Sequence, residues 1–342
     1  MNYASAVCID SSEVNGMDRR KYSVAVATSL GMLLLILDSR CALESSQQAM
    51  QLCIRSVIPS LFPFLFLAGL VTETLWGVQG KVTGAVARFF HIPSGGESLL
   101  LPAFLGGYPA GAIAIGDAFR NGQMKRKTAD TLISYCSNVG PAFLFGMMSS
   151  QFPEKNMIWS LWGIHLLSAA MVGTIVSLPA EPLGTEKRKP RSISEVLMRS
   201  VMSMAMICGW ILLFRILIGF LDRWFFFLFP EWFRIFLWGF LELSNGCWAL
   251  HQIENISFRF IAASAMLAFG GVCVMMQTAS AAVGLSMKYY ISGKLLHMAF
   301  SILLSAAVCC GLGFPAATCC VFFIFLERIY KKRSSNPTVS GV

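Results

Sequence analysis

The stretch 99–145 constrains this chain more than any other, because two apolar runs flank a basic loop and each is interrupted where a membrane helix should be continuous. The first interruption is Gly106-Gly107-Tyr108-Pro109-Ala110-Gly111, and the second is Ser137-Asn138-Val139-Gly140-Pro141. Glycine loosens a helix by adding backbone freedom, and proline by removing an N–H donor. In a bilayer the freed carbonyls and amides must face protein or a water-filled cavity, never lipid. Broken helices at membrane depth are how many transporters build a binding site. The competing reading is two ordinary kinked spans whose kinks serve packing.

The membrane setting follows from composition. Of the 342 residues, 56% are hydrophobic, and the mean hydropathy is +0.64. Soluble domains sit nearer 45–50% apolar, so the chain reads as an integral membrane protein in contact with lipid. A net charge of +9 raises the question of nucleic acid. Only 13% of residues are charged, and the basic ones cluster beside apolar runs. That is the positive-inside pattern and not a phosphate-binding surface, so no nucleic-acid partner is expected. The eleven cysteines contain no CxxC pair, and their odd number argues against a complete disulfide framework. His91, His165, His251 and His297 are far apart and form no metal motif. No metal or cofactor is expected.

In chain order, residues 1–21 form a polar N-terminal segment ending in Arg19-Arg20-Lys21. The apolar run 22–37 reads as an uncleaved first span with a cytoplasmic N-terminus. Residues 53–76 form a second span containing Pro59 and Pro63, and 78–91, with Lys81 and Arg88, reads as an amphipathic surface helix. If 99–119 crossed fully, Arg120, Lys125, Arg126 and Lys127 would lie outside, against the charge rule. The segment is therefore expected to enter and turn back at GGYPAG as a re-entrant hairpin. Residues 131–148 then cross outward and 157–178 return, completing a first membrane half over 22–180. A basic cytoplasmic linker, 181–195, leads to a second membrane half over 196–330 and a polar tail, 331–342. The expected fold is an all-α polytopic membrane protein of about eight membrane segments, re-entrant hairpins included.

The halves share short similarities. Arg55-Ser56-Val57 matches Arg199-Ser200-Val201, and LPAFLGGY (101–108) resembles MLAFGGV (266–272). With the first of these helices running inward and the second outward, the pattern is that of an inverted-repeat transporter with its site near the midplane. A strict inverted copy would put the second hairpin on the outer side. The tail then stays cytoplasmic only if 295–326 crosses once, kinked near Gly311-Leu312-Gly313-Phe314-Pro315; two short crossings would fit another topology.

The candidate substrate-binding residues are those of the breaks and the polar interruptions. They are Gly106, Gly107, Tyr108, Pro109, Asn138, Gly140, Pro141, Glu242, Gly270, Gly271 and Gln277. The Tyr108 hydroxyl can orient a polar group or anchor at an interface, and Asn138 can bind a ligand or cap a half-helix. Glu242 is an acid in an apolar run, a functional hypothesis by default in a membrane, or a solvated interfacial group. Gln277 can bond a substrate or another helix's backbone. Half-helix N-termini at the breaks favour a small anionic substrate. There is no nucleophile–base pair, no HExxH and no GxxxxGK[ST], so an enzyme is not expected.

At GGYPAG, YCSNVGPAF, GFLELSNG and the FGG followed by Gln277, the chain resembles the sporulation integral membrane protein YlbJ family, also called SpoVV. That family carries the nucleoside-recognition Gate domain shared with spore maturation proteins and related to concentrative nucleoside transporters. The resemblance runs from about residue 45 to 330 and is most specific at GYP and at C-x-N-x-G-P-x-F (136–143). It implies a polytopic transporter with re-entrant hairpins that moves dipicolinic acid from the mother cell across the outer forespore membrane during endospore formation. Where the family commonly has C-N-N, this chain has Ser137 in place of the first Asn, one amide fewer. Nucleosides, another small anion, or a non-transporting scaffold for sporulation proteins remain as alternatives, as does a homo-oligomer.

Overall fold

The computed structural model describes residues 11–176, 182–183 and 191–334. The first ten residues, most of the basic linker and the polar tail from 335 onward lie outside the described residues. All regular structure among those described is helical. In order, the helices are α1 (Ser11–Leu37), α2 (Ser39–Leu52), α3 (Ile58–Thr74), α4 (Lys81–Phe89), α5 (Leu100–Phe104), α6 (Ala110–Arg120), α7 (Arg126–Ile133) and α8 (Pro141–Met147). They continue as α9 (Lys155–Val176), α10 (Ile193–Trp224), α11 (Glu231–Leu241), α12 (Leu243–Ala249), α13 (Ile256–Phe269), α14 (Gly271–Ala281), α15 (Met287–Cys309) and α16 (Gly313–Ser334).

A brace of two long antiparallel helices runs the length of the molecule. A π-helical turn, Cys53–Val57, joins α2 to α3 into one rod, which packs along α10. At one end Arg223 Nε pairs with Asp38 at 3.1 Å, and at the other Arg191 Nη1 pairs with Glu73 at 2.7 Å. Small residues bring the rods together: a Cβ on Gly69 would sit 2.9 Å from Val196, and one on Gly219 would strike Ser45. The Arg191 end carries the basic linker and is called the linker end below.

Two short helical hairpins enter from opposite ends. Leaving the amphipathic α4, the chain reaches Ser94, whose carbonyl accepts from Leu183 N at 2.9 Å at the linker end. Helix α5 runs inward, the chain turns at 105–109, and α6 returns to the linker end, where Asp117 pairs with Arg191 and Arg199. The second hairpin, α11–α12, hangs from the far end of α10 and turns at Glu242. Its arms touch through glycines, since a Cβ on Gly246 would come within 2.2 Å of Gly239 Cα.

Two interrupted segments pass from end to end. Asp130 of α7 accepts from Ser286 N at the linker end, while Gln151, just beyond α8, accepts from Arg259 at the far end. Helices α13 and α14 run the other way, joined at Gly270 in the left-handed conformation and finishing where Arg120 Nη1 donates to Ala281 O at 2.9 Å. Helix α9 returns to the linker end, where Thr174 O accepts from Lys331 of α16 at 2.7 Å.

Three expectations can be set against this arrangement. Among the described residues five helices are long and apolar enough to cross a membrane by themselves: Ser39–Thr74, Lys155–Val176, Ile193–Trp224, Ile256–Ala281 and Met287–Cys309. The expected count of about eight also included re-entrant hairpins, which helix length does not test. Most of the others, α1 and α16 excepted, are short pieces whose breaks divide the apolar run. The run 295–326, left open by the sequence between one kinked helix and two crossings, is divided between two helices. Gly311 adopts φ +76° and closes α15, so α16 folds back antiparallel. Finally, LPAFLGGY and MLAFGGV occupy unlike elements, the first turning a hairpin and the second interrupting a segment that passes through.

Candidate functional site

The breaks meet in the middle of the molecule because glycine lets backbone touch backbone. A Cβ on Gly140 would lie 2.8 Å from Gly107 N and 2.9 Å from Gly107 Cα, so the first two breaks cross in contact. Gly107 itself has φ +78°, which a side chain would strain. One helix turn on, a Cβ on Gly111 would sit 1.9 Å from Cys136 O. Gly106 is closed against Pro102 and Ala110. Pro141 is the first residue of α8, where its missing N–H costs nothing. The third break docks on the same point, with Gly270 against the Tyr108 ring and Gly271 against the carbonyls of Gly239 and Phe240 in the α11–α12 turn.

A small cavity of about 30 Å³ lies at this junction, lined by Tyr108, Gly140, Phe143, Glu242, Ser244 and Gln277, among others. Four of the residues singled out from sequence (Tyr108, Gly140, Glu242 and Gln277) thus share one wall, drawn from both halves. Its volume holds about two water molecules, far below the several hundred Å³ of an organic-ligand pocket. Glu242 is 2% exposed. Its carboxylate accepts from Ser244 N at 3.1 Å, Asn245 N at 2.8 Å and Asn245 Nδ2 at 2.7 Å. It therefore caps α12 and occupies the positive end of that half-helix itself. Gln277 Nε2 donates to Cys273 Sγ at 3.3 Å on its own helix.

Larger clefts adjoin this cavity on either side. Toward the linker end, a cleft of about 480 Å³ is lined by Pro109, Arg120, Arg199, Trp210 and three methionines of α10, and shares Ile207 and Gln277 with the small cavity. Toward the far end, a cleft of about 420 Å³ is lined by Gln48, Gln51, Arg55, Arg215, Asn245 and Trp248. Asn245 is the residue bonded to Glu242, so only the α11–α12 turn separates that cleft from the cavity. Arg55 and Arg199, the arginines of the two matching Arg-Ser-Val triplets, line the clefts at opposite ends.

Asn138 does not line the cavity. It is fully buried behind it, with Nδ2 donating to Tyr135 O at 2.7 Å and Ala103 O at 3.2 Å, holding its own break to α5. Beside it stands a residue that the sequence reading passed over. Lys294 of α15 is 0% exposed and donates to Tyr108 Oη at 3.0 Å, to Ser137 O and to Asn138 Oδ1 at 3.4 Å. Tyr108 Oη in turn donates to Leu267 O at 3.2 Å, so one side chain bonds three elements. Gly293 permits the approach, since a Cβ there would strike Ser134 O. The signal was present, because Lys294 is seven residues inside an apolar helix, where an ionisable group is expensive. Starting the apolar run at 295 hid it.

His165 and His297, distant in sequence, lie with ring centroids 4.5 Å apart, both buried. Val139 N donates to His165 Nε2 at 3.2 Å, which makes that nitrogen an acceptor and supports the second break. No group of His, Cys, Asp or Glu suited to a metal ion occurs among the described residues. Comparison with family models, with curated proteins and with solved structures gave no match.

Proposed function

We propose that this chain is a secondary membrane transporter whose substrate site is the junction of the breaks, reached alternately from the two clefts. The observation that carries the reading is the convergence of Tyr108, Gly140, Glu242 and Gln277 on one small cavity between two larger clefts. Irregular backbone at membrane depth is tolerated where it lines a site, and transporters use it so.

The element order supports an inverted repeat: a long helix, a hairpin from one end, an interrupted passage and a return helix (α3, α5–α6, α7–α8, α9). The same series follows in the opposite sense (α10, α11–α12, α13–α14, α15). In this reading the linker end is cytoplasmic, as the basic residues of 120–127 and 191–199 favour, and both hairpins are re-entrant. In this reading α15 leaves the linker end and α16 returns to it, so Lys331 is reached on the cytoplasmic side without a single crossing of 295–326.

For the substrate, the family resemblance carried by the GYP and C-x-N-x-G-P-x-F motifs implies dipicolinate, moved in endospore formation across the outer forespore membrane. The arginines at both cleft rims suit such an anion. A nucleoside is the second reading. Glu242 is what favours it, since a buried carboxylate offers acceptors to hydroxyls and repels a carboxylate.

The test is uptake of labelled dipicolinate into proteoliposomes, with nucleosides as competitors and Glu242→Gln as the variant. Saturable uptake of dipicolinate is the expected result; in the second reading it is nucleoside uptake that Glu242→Gln reduces tenfold or more, at unchanged membrane insertion. Competition by nucleosides selects the second substrate. Absence of flux for either, from protein that remains folded, overturns transport.

A further inference from the structure

A fully buried ammonium with no carboxylate beside it requires explanation, because removing a charge from water is costly unless polar groups replace the hydration shell. Among the described residues no acidic side chain pairs with Lys294. Its hydrogen-bonding partners are Tyr108 Oη, Ser137 O and Asn138 Oδ1, all oxygens and all on the first two breaks. The Tyr108 and Tyr290 rings lie 4.9 and 5.8 Å from Nζ, adding cation–π attraction. Cys136 of the second break, His165 of α9 and His297 of α15 are the other titratable groups that face it. Such a cluster of unwound backbone carbonyl and side-chain oxygens is the kind of site in which broken-helix transporters hold a coupling Na⁺.

Building on the transporter reading, we propose that the Lys294 ammonium is a tethered replacement for that ion: the oxygens of the two breaks form a monovalent-cation site that the chain fills with its own side chain. Substrate movement then needs no Na⁺. Ser137, whose carbonyl accepts from the ammonium, also has a buried hydroxyl that makes no hydrogen bond. Gly293 is part of the arrangement, because it lets α15 bring the ammonium to the breaks.

The experiment reads cation binding apart from transport. Purified protein is melted in NaCl and in choline chloride at equal ionic strength, for the parent chain, Lys294→Ala and Lys294→Met. The parent Tm is expected to be the same in both salts. Lys294→Ala should melt lower in choline and regain several degrees in NaCl. Lys294→Met, which fills the space with an apolar chain, should melt lower in both and regain nothing. If Lys294→Ala yields folded protein only when purified in NaCl, that is also the expected behaviour; failure in both salts, or equal melting in both, overturns the proposal. So does a Na⁺-specific rise in the parent Tm. Where uptake is measurable, parent flux should be unchanged on replacing Na⁺ by choline. An absent flux would bear on the transporter reading, while the melting series decides the cation site by itself.

Discussion

At the residue scale, the polar groups of this protein are arranged to satisfy backbone that the breaks leave open. Glu242 caps α12, Asn138 ties its break to α5, and Arg259 covers the carbonyls of Gln151 and Ile253 at the far end. His91 is a different case, outside the spanning helices. Burial first, and the positive charges of Lys331 and Arg328 next, push its imidazole down to about 4. An unfolded histidine titrates near 6.5, so between pH 6.5 and 4 the unfolded state takes up the proton that the folded state refuses. Stability should therefore fall over that window. The ceiling set by the shift is reduced because His91 is only half-buried, leaving about 1–2 kcal/mol. His91→Asn, which tolerates the positive φ at this position, should flatten the dependence in melting curves recorded from pH 7 to pH 4.

At the scale of elements, contact between backbones decides which broken helices meet. The hairpin α5–α6 reaches the second break through Gly107, Gly111 and Gly140, with no side chain between. Gly111→Ala would drive a methyl into Cys136 O and should cost about 3 kcal/mol or more, at the upper end of overpacking penalties. Gly146→Ala, in α8 with nothing within 4 Å, should be neutral or stabilising by up to about 1 kcal/mol. Comparing detergent-solubilised Tm and yield for the two variants separates close approach from general glycine flexibility. The breaks themselves were legible, because Gly and Pro act locally. Their pairing was not, because each glycine is read alone in sequence and only the fold says what faces it.

Across the whole molecule, the linker-end cleft is spanned by a charged cluster joining three separate elements. Asp117 of α6 pairs with Arg120 at 2.6 Å, with Arg199 of α10 at 2.7 Å and with Arg191 at 3.2 Å, and Arg191 also holds Glu73 of α3. In the transporter reading this cluster restrains the hairpin against the brace. Asp117→Asn removes the shared acceptor charge and leaves three guanidinium groups close together, which should loosen that end. The measurement is maleimide labelling of Cys introduced by Ser203→Cys, a half-buried position lining the cleft. Labelling should be several-fold faster with Asp117→Asn than without it, and faster still at low ionic strength, where repulsion is unscreened.

What the sequence determined by itself was an all-helical protein with helices apolar enough to cross a membrane, interrupted at 106–111, 137–141 and 270–271, with a polar point at Glu242. Hydropathy and helix-breaking chemistry are local properties, carried by neighbours in the chain. The tertiary structure decided the rest. It turned α15 and α16 into an antiparallel pair at Gly311, put Lys294 against two breaks more than 150 residues away, and set Asn138 behind the cavity that Glu242 lines. Apolar helix faces are nearly interchangeable in hydropathy. Their partners are chosen by glycine contacts and by the need of each buried polar group for an acceptor, conditions that exist only once the chain has folded.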